Sequence, residues 1–147
     1  MSEKKSIFLS TGSVEWIHLT TQKDGPKWSE AINSTIRQIR YLTKRSVPEL
    51  TIEEWEVLID VYKDVEFPAY APIPWIARDI MYSAGALSIE SLNPEHAALV
   101  KKMDTLTDIQ QLAILYVIQI YKNEEWHYKG ECKVINDDII RDIKLLI

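Results

Sequence analysis

The chain has 147 residues, is 46% hydrophobic and carries a net charge of −5, enough for one compact domain or for a small N-terminal module joined to a larger one. A single cysteine, Cys132, excludes an intrachain disulfide framework and a cysteine-rich zinc site. The N-terminus has no apolar stretch of signal-peptide length, and the most apolar run, Leu112 to Tyr121, is broken by Gln119 and falls short of the roughly 18 residues of a membrane span. A soluble, cytoplasmic protein with no membrane association is the expectation.

Charge divides the chain. Residues 1–45 carry eight Lys/Arg and four Asp/Glu, a net of +4, while residues 46–147 carry nine and eighteen, a net of −9. A basic head on an acidic body points to different partners for the two halves, against the plainer reading of chance clustering and solubility.

In chain order, Lys4 to Leu9 alternates weakly and is short, partly β-branched or aromatic, which suits a strand ending before Thr11-Gly12. Ser13 is a plausible N-cap for a helix from Val14 to about Lys23. Gly25-Pro26 breaks the chain, and a clear helical period follows from Trp28 to Lys44 through Ala31, Ile32, Ile36, Ile39 and Leu42. Arg37, Arg40 and Lys44 form a separate basic stripe at spacings of three and four. Thr51-Ile52-Glu53-Glu54 reads as a capping box opening a broadly apolar helix. The proline-rich stretch Phe67 to Trp75 predicts an extended loop with aromatic anchors, leading into a helix from about Pro74 to Ala84 that Gly85 stops.

Asn93-Pro94 is a strong helix start. Thr107-Asp108-Ile109-Gln110 is a second capping box, opening the most apolar helix, Ile109 to about Trp126, expected at the centre of the C-terminal domain. Residues 127–135 predict a polar connection around Gly130 with a short extended piece at Lys133-Val134-Ile135. Asn136 or Asp137 then caps a final amphipathic helix.

The order strand, short helix, glycine turn, longer helix over Lys4 to Leu42 resembles ribbon-helix-helix proteins. The matching positions are Leu9, Ile17, Gly25 and the helix opening Ser29-Glu30-Ala31-Ile32. In that family two strands from two subunits pair into a ribbon that enters the DNA major groove, and the second helix start holds a phosphate. The resemblance thus implies a homodimer and duplex DNA as a ligand. It implies that Lys5, Ile7 and Leu9 face the shared core and that Lys4, Ser6 and Phe8 face the groove, with Trp28 and Ser29 at the helix start. Arg37, Arg40 and Lys44 would add phosphate contacts, the alternative being a solvated helix face or a docking face for the acidic half. From Trp28 onward the chain also resembles uncharacterised small helical proteins of bacteria and their mobile elements, which implies no activity.

Other chemistry is sparse. His18, His96 and His127 lie in no metal motif, and Glu124, His127 and Cys132 near one helix end are too few for a metal site or a nucleophile pair with a local signature. No glycine-rich phosphate loop exists. The Phe67–Trp75 loop is a second candidate site: Phe67, Tyr70 and Trp75 would anchor a protein partner or pin the loop to its own core.

The sequence therefore predicts a mainly α protein, with a ribbon-helix-helix-like dimerisation module over 1–46 and a helical bundle of about four or five helices over 47–147. The expected function is that of a small, non-enzymatic, dimeric regulator that binds DNA through its first module and a protein through its second, with no cofactor or metal. The competing reading is a pure protein-interaction module or inhibitor.

Overall fold

The computed structural model describes residues 7–21, 25, 27–65, 75–124 and 134–147. Among them the structure is helical throughout: α1 Thr11–Thr20, α2 Trp28–Ser46, α3 Ile52–Tyr62, α4 Ile76–Ser83, a 3₁₀ turn Ile89–Ser91, α5 Pro94–Thr105, α6 Asp108–Asn123 and α7 Asp137–Leu146. The chain divides into two compact units, residues 1–39 and 40–147, and the division falls within α2.

The mainly α expectation holds; the N-terminal strand does not. Ile7, Phe8 and Leu9 form no strand, and no strand exists among the described residues. Lys4, Lys5 and Ser6 lie outside them. A lone strand within one chain leaves its backbone N–H and C=O groups unpaired, whereas a helix satisfies its own. The helix also starts earlier than Ser13. The Ser10 side chain accepts the Ser13 backbone N–H at 3.2 Å, so Ser10 is the N-cap and α1 begins at Thr11. Leu9, expected in the core, and Phe8 are both exposed.

Later helix starts follow the local chemistry of their caps. Thr51 accepts the Glu54 N–H at 3.1 Å while Glu54 reaches back to the Thr51 N–H at 3.4 Å, and Thr107 and Gln110 repeat the pattern. Asn93 and Asn136 accept the N–H groups of His96 and Ile139. At the other end of α4, Gly85 has φ +65, and the Gly85 and Ala86 N–H groups return to the carbonyls of Tyr82 and Met81. That is a Schellman stop.

The second unit has one continuous core. Trp55 and Leu58 of α3, Ile76 and Ile80 of α4, Met103 of α5, Ile114 and Val117 of α6 and Ile143 of α7 are almost wholly buried. Helix α6 is its axis, burying Ala113, Ile114, Leu115, Val117, Ile118 and Tyr121 around much of its circumference. Polar groups bind this core at its joints. Gln111 is buried, accepts the Ile76 N–H at 3.3 Å and donates to the Leu106 carbonyl at 3.4 Å, so one amide joins the start of α4 to the α5–α6 turn. Lys122 Nζ donates to the Tyr62 carbonyl at 3.0 Å and to that of Val65, satisfying orphan acceptors at the end of α3. Lys102 pairs with Glu54 at 2.8 Å, linking α5 to the start of α3. Among the described residues, the buried Thr43 Oγ1 makes no hydrogen bond.

Candidate protein-interaction surfaces

Helix α4 is short, and its two sides differ. Ile76 and Ile80 enter the core, while Trp75, Arg78 and Tyr82 fall at spacings of three and four and so share the opposite side. Trp75 is 61% exposed and Tyr82 88%. The Arg78 guanidinium lies over the Trp75 ring, 4.9 Å from its centroid, a cation–π contact that holds both side chains in place. Together with Met81, Ala86 and Asp104 they line an open groove of about 510 Å³ against α5. The buried Tyr62 hydroxyl donates to Asp79 at 2.6 Å and ties α4 to α3. Burial, then that hydrogen bond, push the Tyr62 phenol far above its ordinary range, so it stays protonated as the donor.

Trp75 is thus a sequence-expected anchor that stands in a surface groove. Phe67 and Tyr70, expected beside it, lie outside the described residues. The sequence signal for Arg78 and Tyr82 is their spacing of three and then four residues from Trp75, which gains meaning once α4 begins at Ile76.

A second apolar surface belongs to the first unit. Among its described residues only Ile17 is a buried hydrophobic, while Ile7, Phe8, Leu9, Trp16 and Leu19 are exposed on and before α1. On α2, Trp28, Ile36 and Ile39 are exposed as well. A groove of about 510 Å³ runs between the two helices, with Ile17 and Ile32 in its lining and Leu9, Trp16 and Ile36 beside them. The His18 ring meets Trp28 edge-on at 5.3 Å. At about 100° per residue, Trp28, Ile32, Thr35, Ile36 and Ile39 occupy one arc of α2, and Glu30 and Arg37 lie on the other side. Thr35 fits the apolar arc because its hydroxyl is spent on the Ala31 carbonyl at 2.9 Å.

Of the residues expected to contact DNA, Lys4 and Ser6 lie outside the described residues. Trp28 belongs to the apolar arc and touches His18, and Ser29 is exposed at the start of α2. Arg37 and Lys44 are exposed, but Arg40 donates through Nε to the Ile147 carbonyl at 2.9 Å. The neighbouring Arg45 donates to the Tyr41 hydroxyl at 2.7 Å. Phe8 stands on no ribbon. His127 and Cys132 lie outside the described residues, among which no cluster of three or more His, Cys, Asp or Glu side chains is placed to hold a metal ion. No described helix is long and apolar enough to cross a membrane. No family model, no curated protein and no solved structure matches this chain.

Proposed function

We propose that the protein is a non-enzymatic, cytoplasmic regulator that works by binding another protein through the α4–α5 groove. The observation that carries the reading is the exposed triad Trp75, Arg78 and Tyr82. These are the three residue types that dominate binding hot spots, here presented at and along one side of α4 with Arg78 stacked over Trp75. Rigid aromatic anchors lose little conformational entropy on binding. The Tyr62–Asp79 bond and the Gly85 stop hold α4 at both levels, so the surface is organised before a partner arrives. Self-association belongs to the same reading, now through helices instead of paired strands.

Duplex DNA binding has less to stand on, because it drew on a ribbon that does not form and on an Arg40 that is engaged elsewhere. The test is capture from a bacterial extract with nucleic acid retained, comparing the wild-type chain with Trp75→Ala and Tyr82→Ala. A specific protein lost from both variants and kept by an α7 surface control such as Lys144→Ala is the expected result. Capture indifferent to both substitutions, or of duplex DNA alone, would overturn it.

A further inference from the structure

We infer that the α1–α2 surface is the interface for a second copy of this chain, with two α2 helices crossing antiparallel near Thr35. The inference rests on the self-association just proposed and names its surface. The first unit has 39 residues and one buried hydrophobic among those described. Units below about 40 residues generally need a disulfide, a metal or oligomerisation to hold a fold. The only cysteine of the chain, Cys132, lies outside this unit, and the described residues offer no metal cluster. Oligomerisation is the route that this unit's exposed apolar residues favour.

The area is sufficient. Three aromatic residues (Phe8, Trp16, Trp28) and five aliphatic ones (Ile7, Leu9, Leu19, Ile36, Ile39) are exposed on this unit, together on the order of 900 Å² of apolar surface in and around the groove, against about 800 Å² per partner in a standard stable interface.

The surface is also self-complementary. The arc from Trp28 through Ile32, Thr35 and Ile36 to Ile39 is free of charge, and a two-fold axis near its middle lays each half on the other half of its copy. In the antiparallel sense Ile32 of one chain packs against Ile36 of the next, the four-residue ridge spacing of ordinary helix pairs. Orientation follows from charge: α2 carries Arg37, Arg40, Lys44 and Arg45 toward its C-terminal end. A parallel pair would bring those ends together, and an antiparallel pair separates them and opposes the helix dipoles.

Sedimentation equilibrium of the full chain tests this. The wild type is expected to be a dimer at micromolar concentration, and Ile36→Glu to weaken association at least tenfold with an unchanged helical signal. A Thr35→Cys chain with Cys132→Ser, oxidised by a copper–phenanthroline complex, is expected to form a covalent dimer. A wild-type monomer would overturn both the interface and the self-association reading. A dimer that survives Ile36→Glu and gives no crosslink at position 35 would overturn the interface alone. If Ile36→Glu loses its fold, the crosslink decides.

Discussion

Tyr62 donates its phenolic hydrogen to Asp79 across 2.6 Å, from the last residue of α3 to the first turn of α4. The tyrosine is buried and its bond ties α3 to α4, the helix that carries Arg78 and Tyr82, as the Gln111 bond to the Ile76 N–H does at the helix start. Because the folded protein holds this proton more tightly than the ordinary value of 10.0, its contribution is whole below about pH 10 and is lost as pH rises beyond that point. Tyr62→Phe is expected to cost about 1–2 kcal/mol at neutral pH and to flatten the alkaline fall in stability. Chemical denaturation at pH 7, 9 and 10.5 checks both.

Trp75→Ala and Tyr82→Ala separate binding from stability. Both side chains are largely exposed, so each change is expected to shift unfolding by no more than about 0.5 kcal/mol. Partner affinity should fall by about 2 kcal/mol or more for at least one of them. Thermal melts beside titration calorimetry with the captured partner measure the two effects.

Gly85 isolates a backbone effect. A Cβ added there meets nothing within 4 Å, yet its φ of +65 lies where L side chains are strained. Gly85→Ala is expected to cost about 1–2 kcal/mol with no change in core packing. A denaturation midpoint that moves without a change in slope is the signature.

Thr43 is 1% exposed and its hydroxyl is unpartnered. Thr43→Val keeps the shape and removes the unsatisfied group, and is expected to stabilise the protein by about 1–2 kcal/mol. A raised melting temperature in calorimetry is the result to look for.

What could be read in the sequence was mostly chemistry acting over four residues. Thr51, Asn93, Thr107 and Asn136 announce helices because a side-chain oxygen and an N–H three residues on satisfy each other without tertiary help, and each of the four caps forms. The central place of α6 was legible because apolar residues surround it. Ile7-Phe8-Leu9 misled because alternation describes a strand only when a second strand exists to bond with. The overlooked signal was the spacing of Ser10 and Ser13, which starts a helix. At the candidate site, Trp75 stood out beside prolines, whereas Arg78 and Tyr82 gained meaning only when the buried positions Ile76 and Ile80 showed which side of α4 faces outward. Nothing in the sequence signalled that Arg40 would be taken by a carbonyl 107 positions away.

Glu54 Oε2 closes the capping box of α3 by accepting the Thr51 N–H and also accepts from the Lys102 ammonium, 48 positions on. A local helix start and a long-range docking event therefore share one carboxylate. The expected kinetic consequence is that this corner forms early, with secondary structure and topology together. Glu54→Gln is expected to slow refolding more than it speeds unfolding, which stopped-flow chevron measurements check.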